Sequence, residues 1–68
     1  MMQGLVTEFD EHRGWGTVEA GERGYPFHCT QISDGTRTIA VGTAVGFEVV
    51  AGGLGRWEAQ VVTPGTHP

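Results

Sequence analysis

The stretch TAVGFEVV, Thr43 to Val50, alternates along its length, with Val45, Phe47 and Val49 on one face. A period of two is the signature of a strand with one buried side. GGLG, Gly52 to Gly55, then makes a hairpin loop, and RWEAQVV, Arg56 to Val62, resumes the alternation with Trp57, Ala59 and Val61 sharing a face. Two alternating runs about a glycine-rich loop describe a β-hairpin, and they set the class of the fold.

Working outward, the same pattern recurs upstream. GLVTEF (Gly4 to Phe9) is a first strand and ends in the acidic turn Asp10 to Arg13. GWGTVEA (Gly14 to Ala20) is a second, closed by GERG (Gly21 to Gly24), and YPFHC (Tyr25 to Cys29) is a third. No window holds the i, i+3, i+4 spacing of a helix, and glycines interrupt every candidate. Short strands separated by turns imply a sandwich or a barrel, and two full sheets are hard to fill at this length. A closed or nearly closed five-stranded barrel protects its edges better. The expectation is one domain over residues 1–63, with a disordered C-terminal tail over 64–68.

Composition bounds the function. The 68 residues carry eight acids and four arginines, without lysine, for a net charge of −4. That balance argues against coating nucleic acid through bulk charge and leaves room for a small patch of favourable sign. A single cysteine cannot form an internal disulfide and fits a reducing compartment. No apolar stretch is long enough for a membrane span, and the basic start and apolar block of a secretory signal are missing, so a cytoplasmic protein is expected. No Ser-His-Asp arrangement and no phosphate loop of the GxxxxGK[ST] type occurs, and no enzyme is expected. His28 and Cys29 are neighbours on a strand and point to opposite faces, and no CxxC spacing occurs, so no metal site is expected.

Two segments, RGWGTV (Arg13 to Val18) and YPFHCTQI (Tyr25 to Ile32), concentrate aromatics, glycines and a histidine. Together with GLVTEFD (Gly4 to Asp10) and DGTRTIAVGTAVGFEV (Asp34 to Val49), they resemble the cold-shock domain family. The resemblance runs from Gly4 to Val61, and the last segment is its most specific part. It implies an OB-fold, a five-stranded antiparallel β-barrel, that binds single-stranded nucleic acid without a cofactor. Aromatics on the outer face of the first three strands would stack on bases.

Carried over position by position, Trp15 keeps a stacking aromatic, Phe9 and His28 match, and Arg13 preserves a motif charge. Glu8, Thr17, Pro26, Cys29 and Thr36 stand where the family pattern has aromatics, and Thr7 replaces a lysine. Stacking contributes roughly 1–3 kcal/mol per base, so this thinning implies weak and largely sequence-nonspecific binding of RNA or DNA. The nucleic-acid-binding residues expected are Phe9, Arg13, Trp15, His28 and Arg56, in an RNA chaperone or regulator of expression. Arg37 either contacts phosphate or ties its loop to Asp34.

Tyr25 and Phe27 are expected in the core, Cys29 as a semi-buried filler, and Trp57 as a plug at one barrel end. Pro26 requires an edge or a bulge in the third strand. The alternative function is a barrel that has lost nucleic-acid binding and serves as a protein-interaction or homodimerisation module. An edge at Pro26, the acidic balance and Trp57 favour it.

Overall fold

Inward and outward residues alternate along most of five strands: β1 (Met2–Asp10), β2 (Trp15–Ala20), β3 (Arg23–His28), β4 (Ala44–Ala51) and β5 (Trp57–Pro64), with bulges in β1 between Val6 and Glu8 and in β5. They form one antiparallel sheet in the order β3-β2-β1-β4-β5. The computed structural model describes residues 1–65, so most of the expected tail, including His67, lies outside the described residues. Short 3₁₀ turns at Cys29–Gln31 and Gly53–Gly55 are the helical content among them. No helix among the described residues is long and apolar enough to cross a membrane.

The sheet curls until its outer strands β3 and β5 pack against each other. Just beyond β3, an isolated parallel bridge joins Ile32 to Val62, and Ser33 N–H donates to the Val62 carbonyl at 2.8 Å. β3 is therefore an edge in hydrogen-bonding order, which accommodates Pro26 as expected. The result is the five-stranded antiparallel barrel implied by the alternation, consistent with the OB-fold that the resemblance implies.

Val6, Val18, Tyr25, Phe27, Cys29, Ile32, Val45, Phe47, Ala59 and Val62 are buried and form one core. Tyr25 and Phe47 meet with ring centroids 5.6 Å apart. Gly16 makes this packing feasible, because a Cβ there would lie 2.7 Å from both the Glu8 carbonyl oxygen and Phe27 Cζ. Tyr25 and Phe27 are core residues and Cys29 is a buried free thiol, as their parity and size imply.

Two expectations on β5 are corrected. Val61 does not share the inward face of Ala59: it is 41% exposed, and Val62 takes the core position at 0%. Glu48 pairs with Gln60 but Gly46 pairs with Thr63, so β5 spends an extra residue opposite β4. This bulge turns Val61 outward at a φ of 52° and reverses parity beyond it. Trp57 has the inward parity of Ala59 but does not plug the barrel. It lies at the first residue of β5, opposite Ala51, and remains 54% exposed.

The long connection from β3 to β4 is tied locally. Asp34 Oδ1 accepts from Thr36 N–H at 2.9 Å and from Thr36 Oγ1 at 2.7 Å. Those bonds, the hydroxyl first, hold the Asp34 carboxyl below its usual range. Thr36 rather than Arg37 thus engages Asp34.

Candidate nucleic-acid interface

Trp15 opens β2 directly opposite His28 of β3, so the two side chains share the outer face. Their rings meet edge to face, with centroids 5.1 Å apart and planes at 74°. The indole is 44% exposed, because the glycines on either side of it contribute no cover. His28 is held from behind. Its Nδ1 accepts from Thr30 N–H at 3.3 Å and lies 2.9 Å from Thr30 Oγ1. An accepting Nδ1 places the proton of the neutral ring on Nε2, which becomes a donor.

Arg13 stands at the end of the preceding turn. Asp10 Oδ1 accepts from the backbone N–H groups of His12 (2.9 Å) and Arg13 (3.2 Å), and Gly14 N–H donates to the Asp10 carbonyl at 2.8 Å. This side-chain-stabilised turn fixes the backbone from which the exposed guanidinium projects. Phe9 lies opposite Gly16 and is half-buried. Its ring packs on Phe27 at 6.0 Å and 19°, so it joins the core as well as the surface.

The outer face between these residues forms two open grooves with Trp15 in both. One, of about 340 Å³, is lined by Glu8, Phe9, Asp10, Arg13, Trp15, Thr17 and Pro26 together with Gly16. The other, of about 420 Å³, lies between Trp15 and Pro26 on one lip and Gly53, Arg56 and Glu58 on the other. Phe9, Arg13, Trp15, His28 and Arg56 are thereby brought to one continuous surface, although β1 and β5 are far apart in sequence.

The charge on this surface is mixed. Glu8 and Asp10 lie beside Arg13, and Glu58 lies beside Arg56. Glu8 pairs directly with Thr17, so two polar side chains sit side by side where an aromatic pair would make a stacking surface. Cys29 is buried at 7% exposure and cannot present itself there, and Thr36 stays exposed in its loop. Glu58, Asp10 and Gly53 line the grooves without being among the site residues expected from the sequence. Glu58 shares parity with Arg56, but its partners across the groove, Trp15 and Pro26, are remote in sequence and alternation within β5 does not bring them together. Among the described residues, no group of three or more His, Cys, Asp or Glu side chains could hold a metal ion.

A barrel of this order, with a half-exposed tryptophan and a histidine on the outer face of β2 and β3, agrees with the sequence comparison. Residues 2–64 match the family described as the 'Cold-shock' DNA-binding domain. The chain belongs to that family. Cold shock protein CspA of Staphylococcus aureus (strain USA300) is 41% identical over 64 residues, covering 91% of this chain and 97% of the relative. The CspA of strain NCTC 8325 gives the same figures, and that of Staphylococcus haemolyticus (strain JCSC1435) is 39% identical over the same length. In this cold-shock domain ten buried residues form one core, while Glu8, Thr17 and Pro26 stand beside Trp15 on the outer face.

Proposed function

We propose that this cold-shock domain binds single-stranded RNA or DNA weakly and with little overall sequence preference, as an RNA chaperone or regulator of expression in the cytoplasm. Nucleic-acid binding of the cold-shock type follows from membership of the family. Trp15 stacks on a base, His28 and the exposed edge of Phe9 assist, and Arg13 and Arg56 neutralise phosphates. The observation that carries this reading is the placement of Trp15. It is half-exposed, braced by His28, and shared by two grooves that each hold an arginine.

Binding amounts to stacking and charge compensation, with no bond made or broken and no cofactor called upon. A base on Trp15 gains roughly 1–3 kcal/mol, and stacking tolerates every base because each has a π-face. Glu8, on the same face, opposes an approaching phosphate and keeps affinity low.

The test is a tryptophan fluorescence titration with short pyrimidine-rich and purine-rich single strands at two salt concentrations. Trp15→Ala and Trp57→Ala proteins are titrated alongside. Saturable quenching that weakens with salt and vanishes in Trp15→Ala is expected. Absence of quenching at low salt would overturn the reading in favour of a protein-interaction or homodimerisation module. The exposed Trp57 is the feature that favours that second reading, and sedimentation of the free protein would examine it.

A further inference from the structure

The groove between Trp15 and Arg56 holds a carboxylate, and a carboxylate is a poor lining for a phosphate path. Glu58 is half-buried on β5, opposite Val50. Its carboxyl group lies over Gly52, in the space a side chain at residue 52 would occupy. The loop that presents it is closed by a hydrogen bond from Gly52 N–H to the Arg56 carbonyl at 2.6 Å. Across the groove stand the exposed indole of Trp15 and the ring of Pro26. The site thus combines an aromatic platform, an apolar wall, a pair of acceptor oxygens and a guanidinium donor.

We propose that this groove is a guanine-preferring subsite, with Glu58 as its specificity-determining residue; the proposal rests on the stacking role of Trp15 given above. An ionised carboxylate only accepts hydrogen bonds, and its two oxygens can take two parallel donors. Among the nucleobases, guanine offers two adjacent donors on one edge, N1–H and the N2 amino group. Adenine and cytosine each offer a single exocyclic amino group, and thymine or uracil a single N3–H. Guanine O6, next to N1, is the acceptor that the Arg56 guanidinium would satisfy. Single-stranded bases expose that edge to a protein, which a duplex does not. The subsite adds selectivity at one position, while stacking elsewhere remains indifferent to sequence.

The experiment is an anisotropy titration of short labelled thymidine strands carrying one central guanine, hypoxanthine, adenine or cytosine. Hypoxanthine is guanine without its N2 amino group. The wild-type protein and Glu58→Gln are compared, since the amide keeps the shape but offers one acceptor oxygen. The guanine strand is expected to bind about tenfold tighter than the adenine strand, in the range of one bidentate base contact. Hypoxanthine should forfeit about threefold of that gain, and Glu58→Gln should remove most of the guanine preference over adenine. Equal binding of the four strands by wild type overturns the guanine assignment, an undiminished guanine preference in Glu58→Gln overturns the role of Glu58, and either outcome leaves stacking on Trp15 standing. Binding of none of them overturns the stacking reading, and the guanine assignment with it.

Discussion

The two hairpins that flank β1 are built differently. The β2–β3 ladder is unbroken from the Trp15–His28 pair to the Ala20–Arg23 pair. The β4–β5 ladder is interrupted by a bulge, contains a valine at positive φ, and is joined by a 3₁₀ turn. A continuous register fixes which side chains point out, so the β2–β3 hairpin holds Trp15 against His28 as a rigid pair. The bulge re-aims Val61 and Val62 at the far end of β5, while the regular stretch before it carries Glu58, with Arg56 just ahead of the strand, to the same groove. One hairpin supplies the platform and the other supplies the polar partners.

Substitutions in the two hairpins can break or sharpen this division. Both contribute one fully buried phenylalanine to the shared core, Phe27 and Phe47. Phe27→Ala and Phe47→Ala should each cost about 3–5 kcal/mol, comparable to the whole stability of a small domain, and leave the chain largely unfolded at 25 °C. Thermal denaturation followed by circular dichroism decides it. A folded variant of either would mean that the hairpins do not share one core.

The second effect concerns ligand alone. Trp15→Ala should weaken single-strand binding about tenfold or more while changing the melting temperature little, because the indole is half-exposed. Trp57→Ala, on the other hairpin, should change affinity less than about twofold. Equal losses from the two tryptophans would erase the distinction between platform and partner strands.

Backbone strain gives the third contrast. A β-branched residue in the left-handed region costs about 1–2 kcal/mol, and asparagine tolerates that region better. Val61→Asn should therefore raise the melting temperature by about 4–8 °C for each 1 kcal/mol recovered, as read by calorimetry. An unchanged melting temperature would place no strain in the bulge. The smallest effect is electrostatic. Glu8→Gln removes a negative charge from the platform groove and should tighten binding about twofold at low salt, with the gain fading as salt rises.

The same contrast explains what was legible in the sequence. In β2 and β3, alternation places Val18, Tyr25 and Phe27 inward and Trp15, Pro26 and His28 outward, and no bulge disturbs it. In β5 the pattern is blind, because Val61 and Val62 are the same residue and either could be the inward one. Parity also says nothing about height along the barrel. Trp57 has inward parity, yet it sits past the end of the core and stays exposed. Glu58 could not be assigned to the site from the sequence, because its neighbours there come from β2 and β3 across the closed barrel. The turn after β2 shows the limit of local chemistry. GERG has glycine at both ends, but pairing continues through Arg23 opposite Ala20, so the turn shrinks towards Gly21 and Glu22.

The barrel closes where β3 meets β5, and among the described residues no ladder joins those two strands. Side-chain packing and the bridge from Ile32 to Val62 hold that line together. Amides along it can exchange with solvent through a local opening that leaves the rest of the sheet intact. Trp15 and Pro26 stand on one side of the opening, and Arg56 and Glu58 on the other. A strand of nucleic acid lying in that groove would act as a staple across the least-bonded line of the molecule. Occupancy would then be legible in deuterium uptake: protection should grow first around Pro26 and the start of β5, and the whole barrel should melt later as free ligand rises above its dissociation constant.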